Sequence, residues 1–192
     1  MEITKDPVEE ITADKFAKHF SALAKQFHSP EILNAILRSM SIDHVPAGTR
    51  LIEYDGACST LYLVWEGLLR ASIEDEEGKI TLGDIGPGEW IGEVTLIEPG
   101  PASASVSTIK DSTLLSMSHE AFSKLRSQQP DAAGTLMHAL SLNLAERLRT
   151  YGNRAAQEIH AHEFAMKELA PETRANIVKI LANLMGIKGV KA

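Results

Sequence analysis

Two hydrophobic periods divide the chain. Between residues 11 and 28, Phe16, Phe20, Leu23 and Phe27 recur at steps of four, three and four, the spacing that lines one face of an α-helix. Ser29-Pro30 interrupts the pattern, and Ile32, Leu33, Ile36, Leu37 and Met40 form a second stripe. Two helices are therefore expected ahead of the strands. They carry three of the chain's five phenylalanines, which marks them as a packed lid or a dimer element rather than a loose leader. From Ser41 the apolar runs shorten and turn residues separate them, as antiparallel strands require. The expected strands are Ile42 to Val45, Arg50 to Tyr54, Thr60 to Trp65, Leu68 to Ile73, Lys79 to Leu82, Ser103 to Ile109 and Thr113 to Met117. Short strands at such regular spacing predict a closed roll or double-sheet barrel.

The helical period returns at Ser118. That serine is a natural N-cap, with Glu120 in the first turn, for a helix through Phe122 and Leu125 that stops near Pro130. A longer stripe follows through Ala133, Met137, Leu140, Leu144, Leu148, Tyr151, Ala155, Ile159, His162, Met166 and Leu169. Its steps of three and four approach a coiled-coil seam, and its length favours pairing with a second copy over burial on its own barrel. Gly134 and Gly152 each cost about 1 kcal/mol relative to alanine, and a bend or break is expected at Gly152. After Pro171, Ile177, Ile180, Leu181 and Leu184 mark a last amphipathic helix. The expected organisation is N-terminal helices over 1–40, a β-roll over 41–118, C-terminal helices over 119–170, and a terminal helix and tail over 171–192. The fold class is α+β, an antiparallel, jelly-roll-like β-roll flanked by N-terminal helices and a long C-terminal helix.

Composition narrows the function. A chain of 192 residues with 44% hydrophobic and 23% charged residues buries an ordinary core and is not a disordered polymer. No apolar run approaches the roughly 18 residues that span a bilayer, and the N-terminus lacks a basic-then-apolar leader, so a cytoplasmic protein without a membrane partner is expected. The single cysteine, Cys58, excludes an internal disulfide and a cysteine-based zinc site. The net charge of -7, with no local basic patch, argues against nucleic acid as a partner.

Candidate chemistry concentrates in Trp90 to Val106, WIGEVTLIEPGPASASV. Gly92 lets backbone approach a ligand or another strand. A short helical turn beginning at Glu93 would present free N–H groups to an anion, while the glutamate itself accepts from hydroxyls. A ligand with both sugar and phosphate fits that pairing. The same glycines also suit a tight strand connection that only allows packing.

The motifs Leu63-Val64-Trp65-Glu66-Gly67, Asp84-Ile85-Gly86-Pro87-Gly88-Glu89-Trp90-Ile91-Gly92-Glu93 and Ala104-Ser105-Val106, in that order, resemble the cyclic nucleotide-binding domains of the catabolite activator protein (CRP/FNR-like) family. The resemblance covers roughly Val45 to Tyr151. It implies that Glu93 accepts from a ribose hydroxyl. It also implies an arginine four residues before the closing valine, paired with the cyclic phosphate, where this chain has Ala102. A charge-assisted hydrogen bond contributes about 1.5–3 kcal/mol, so its loss weakens binding roughly 10- to 150-fold. The hydroxyls of Ser103 and Ser105 recover part of that without supplying a positive charge.

On the long helix, where family members offer a hydroxyl pair to the base, Tyr151 and Gly152 stand next to Thr150. Tyr151 is either a base-stacking residue or dimer core. The candidate ligand-binding set is thus Gly92, Glu93, Val94, Ala102, Ser103, Ser105 and Tyr151. No catalytic residue or resident cofactor is expected, and a cyclic nucleotide or related small anion is the candidate ligand.

The segment from Pro171 to Leu184 looks like the first helix of the family's DNA-binding domain. No recognition helix follows it, so this chain alone is not expected to read DNA. A cupin-like metal centre is the rival reading of a β-roll. Only His44 lies on an expected strand, His119 starts a helix, and His160 and His162 stand two apart on a helix and point in different directions, so no metal is expected. Two readings remain: a non-enzymatic, homodimeric regulatory or sensor module with weak or absent cyclic AMP binding, or a structural and interaction protein that has lost its ligand. A regulator whose DNA-binding part is missing is a variant of the first.

Overall fold

The computed structural model describes residues 3–7, 11–75, 78–98 and 100–168. The chain divides into two compact units, Met1–Asn143 and Leu144–Ala192. The order of elements is β1 (Thr4–Pro7), α1 (Ala13–His19), α2 (Ser21–Ala24), α3 (Pro30–Leu37), β2 (Ser41–Val45), β3 (Arg50–Ile52), β4 (Thr60–Glu66), β5 (Leu69–Asp75), β6 (Gly78–Ile85), β7 (Trp90–Ile91), α4 (Glu93–Ile97), β8 (Ser105–Thr108), β9 (Ser112–Ser118), α5 (His119–Gln128) and α6 (Pro130–Glu168). The strands form two antiparallel sheets, ordered β1-β2-β9-β4-β7 and β3-β8-β5-β6. This is the expected α+β roll with flanking helices.

β4 shows why its sequence reads as an unbroken apolar run. Leu61, Leu63 and Trp65 join a core with Phe16, Phe27, Leu33, Ile36 and Trp90. Val64, on the opposite face, joins Val45, Leu69, Ile91 and Leu114 inside the roll. A strand covered on both faces does not alternate.

The N-terminal helices are part of that first core, so they are packed and not a loose leader. Phe16 is 1% exposed and makes edge contacts with Phe20 at 5.4 Å and Phe27 at 5.9 Å. The His19 ring lies flat on Trp65, with centroids 4.2 Å apart and planes at 9°, and its Nε2 donates to the Trp65 carbonyl at 3.1 Å. The expected first helix is split, because Phe20 leaves helical geometry at φ -125° and ψ 67°. Asn34 Oδ1 accepts from the Ala13 N–H at 2.7 Å and ties α3 to the start of α1. α3 stops at Leu37, short of the expected Met40, which is buried from the turn that follows.

β1 precedes the helices, contrary to expectation. It is a polar edge strand pairing Thr4–Pro7 with His44–Ser41, and an edge tolerates Pro7 because that position need not donate. Two C-terminal boundaries follow the sequence. Ser118 Oγ caps α5 by accepting from the Ala121 N–H at 3.1 Å, and α6 begins at Pro130. Ala132, Ala133, Leu136, Ala139 and Leu140 of α6 are buried in the helix-side core. The break expected at Gly152 does not occur, since α6 runs on to Glu168. The last expected helix, over 171–184, lies outside the described residues.

Candidate functional site

The site begins on a two-residue strand. β7 pairs Trp90 with Leu63 and Ile91 with Tyr62, and the chain then turns at Gly92, whose φ of +81° is left-handed. A Cβ there would meet the Thr60 carbonyl oxygen, so strand contact and dihedral both require glycine. The approach to this point is fastened to β4. The Gly88 N–H donates to the Val64 carbonyl at 2.9 Å, the Val64 N–H donates to the Glu89 carbonyl at 3.0 Å, and the Gly86 N–H donates to Glu89 Oε2 at 2.6 Å.

α4 is the short helical turn expected at Glu93. It buries Glu93 at 2% exposure, with Thr95 and Leu96, and leaves Val94 and Ile97 exposed. The Thr95 hydroxyl donates back to the Gly92 carbonyl at 3.1 Å, so the turn is closed by its own side chain. Glu93 is thus held inside the protein.

The second half of the cassette is built differently. Ala102 is buried at 6% exposure, and its methyl joins the roll-interior cluster of Val45, Ile52, Ile85, Val106 and Leu114. Both of its backbone groups are engaged. The N–H donates to the Gly56 carbonyl at 2.9 Å, and the carbonyl accepts from the Asp55 N–H at 2.9 Å. Ser105 is 1% exposed, and its Oγ accepts from the Tyr54 N–H at 2.9 Å. Ser103 is exposed.

One segment, Tyr54 to Gly56, therefore holds both Ala102 and Ser105. The sequence reading did not assign it to the site. Its available signal was the Asp55-Gly56 turn dipeptide, and Asp55 adopts a left-handed φ of 59° there. Tyr62 was also missed. It packs against the roll-interior cluster, and burial, then the Asp43 carboxylate, raise its hydroxyl above the ordinary phenol value, partly offset by a hydrogen bond with Thr60. Tyr62 is two residues from Val64 on the same strand, so alternation puts it on the inner face.

Gly92 and Glu93 thus open the cassette, with Val94 on its outer side, and Ala102 and Ser105 close it under the Tyr54–Gly56 turn. Tyr151 lies on α6, and its side chain is outside the described residues.

The cyclic nucleotide-binding domain profile matches residues 42–129, from β2 through α5. Those residues are similar to the cyclic nucleotide-binding domain family. The cyclic AMP receptor protein of Thermus thermophilus is 32% identical over 128 residues, covering 64% of this chain and 56% of that protein. A lysophospholipase nte1 of Aspergillus oryzae is 27% identical over 185 residues, which is 93% of this chain and 12% of that protein. The chain thus spans about a tenth to about half of the length of these curated relatives. Among solved structures, a cyclic nucleotide-binding domain from Methylobacillus flagellatus superposes with a TM-score of 0.69, covering 81% of this chain and 89% of that one. At 20% identity that likeness establishes the fold alone. No helix among the described residues is long and apolar enough to cross a membrane.

Proposed function

We propose that this chain is a non-enzymatic, cytoplasmic regulatory or sensor module. Its cassette keeps the sugar-accepting end of a cyclic nucleotide site and lacks the phosphate-pairing charge, so cyclic AMP binds weakly or not at all. The observation that carries this reading is position 102. Where the family resemblance implies an arginine, a methyl group lies in an apolar cluster and its backbone is committed to Asp55 and Gly56. The retained end supports a sensor, because Gly92 is fixed against Thr60 and Glu93 is buried beside it. A ligand with different affinities for two arrangements of the long helix would shift their populations, and that shift is the output.

Homodimerisation through α6 is part of the proposal. Leu148 sits on the predicted seam and is 72% exposed, so the apolar stripe extends beyond the part of α6 buried in its own core. No DNA reading is assigned to these residues.

A second reading, a structural or interaction protein with a disused cassette, is favoured by one observation. The Ser105 hydroxyl and the Ala102 backbone already bond to the Tyr54–Gly56 turn, so these polar groups serve the fold. Calorimetric titration of the purified chain with cyclic AMP and cyclic GMP separates the possibilities. Weak binding that disappears in Glu93→Gln supports the sensor, no binding supports the disused cassette, and tight Glu93-dependent binding overturns the role given to Ala102.

A further inference from the structure

The interior of the protein is acidic where a site for an anion would be basic. Among the described residues the buried charged side chains are Asp43, at 1% exposure, and Glu93, and no lysine or arginine is buried with them. The two arginines on the strands of the four-stranded sheet are engaged at the surface, Arg50 with Glu53 at 2.8 Å and Arg70 with Asp84 at 2.6 Å.

The inner face of the five-stranded sheet turns from apolar to polar along its strands. Val45, Val64 and Leu114 belong to the roll-interior cluster. Asp43, Tyr62 and Ser116 each lie two residues from one of them on β2, β4 and β9, so alternation puts all three on the same face. Burial and then the Asp43 carboxylate raise the Tyr62 hydroxyl above the ordinary phenol value, which places the two side chains in one neighbourhood. Ser116 is buried and pairs with Tyr62, and Tyr62 pairs with Ile91. The polar strip therefore ends beside Gly92, at the opening of the cassette. Tyr62 packs on the same cluster that contains the Ala102 methyl.

Resting on the reading of these residues as a ligand cassette, we propose that its ligand is an uncharged, hydroxyl-bearing molecule of the nucleoside class, and that charge rejects the phosphate-bearing cyclic nucleotide. A ribose hydroxyl donates to Glu93, while Tyr62, Ser116 and Asp43 offer hydroxyls and a further acceptor. An anion entering this interior loses its water, gains no counter-charge and joins buried charges that are both negative, and each of these costs affinity. The closing end of the cassette suits a neutral group as well. It presents a methyl, the Ala102 N–H already donates to Gly56, and the Ser105 hydroxyl already accepts from the Tyr54 N–H.

The test is calorimetric titration of the full chain with adenosine and guanosine beside cyclic AMP and cyclic GMP. Wild type, Glu93→Gln and Ala102→Arg are compared, with circular dichroism to verify that each is folded. In wild type one nucleoside should bind about tenfold or more tighter than its own cyclic nucleotide. That preference should shrink in Glu93→Gln, where a carboxylate is removed, and reverse in Ala102→Arg, where a cation is supplied. Weak cyclic AMP binding with equally weak or no nucleoside binding up to about 1 mM would overturn this inference and leave the reading beneath it standing. Tight cyclic AMP binding by wild type would overturn both. A nucleoside preference that Ala102→Arg leaves unchanged would refute charge as its cause.

Discussion

Replacing Gly92 with alanine perturbs the backbone conformation and the strand contact together. At φ +81° an L-residue is left-handed, which costs roughly 1–2 kcal/mol. The added Cβ also meets the Thr60 carbonyl oxygen. That atom belongs to the backbone of β4, which pairs with both β7 and β9, so no rotamer change relieves the contact. Overpacking of this kind costs about 1–3 kcal/mol. A combined loss near 3 kcal/mol lowers the melting temperature of a chain this size by roughly 6–12 °C.

Gly134→Ala is the matched control. It lies within α6 with open space at the Cβ position, so helix propensity alone should stabilise by about 1 kcal/mol. Differential scanning calorimetry of both variants gives the comparison. If Gly92→Ala melts with or above wild type, the view that Gly92 is fixed by β4 is wrong.

Other expectations are smaller. Ser29 caps α3 by accepting from the Ile32 N–H at 3.2 Å, so Ser29→Ala should lose about 1 kcal/mol in a urea melt; an unchanged midpoint would contradict the cap. Asp84 is held below the ordinary carboxylate value by its hydrogen bonds from Arg70 on the paired strand. Its contribution is therefore present at neutral pH and lost as the pH falls through the carboxylate range. Asp84→Asn should remove a small part of the acid-side fall in melting temperature, and an identical pH profile would count against it. Sedimentation at micromolar concentration should report a dimer, with Leu148→Glu shifting it to monomer; a monomeric wild type would remove the α6 pairing from the account.

The parts of the fold that were legible in sequence are those where one local signal dominates. Ser118 announces its helix because a hydroxyl at an N-cap has a single best use, and the run Thr60 to Trp65 announces a strand covered on both faces. β1 and β7 were not legible. Thr4–Pro7 has no apolar pattern, and two residues at Trp90–Ile91 are too few to show a period, so only their partners define them. β6 runs through Gly83 to Ile85, further than the expected Leu82, because a bulge at Leu82 lets Gly83 pair with Ala71 and the ladder continue. At the site, Gly92, Glu93 and Ala102 were readable as an ordered motif. The role of Tyr54 to Gly56 was not, because those residues act through backbone groups whose partners lie far along the chain.

The central claim is that the missing charge at position 102 sets the ligand affinity. The direct measurement is the cyclic AMP affinity of Ala102→Arg beside wild type, by calorimetry, with circular dichroism to verify that the variant is folded. Restoring one charge-assisted contact should tighten binding roughly 10- to 150-fold. A folded Ala102→Arg chain that binds cyclic AMP no better than wild type would contradict the account.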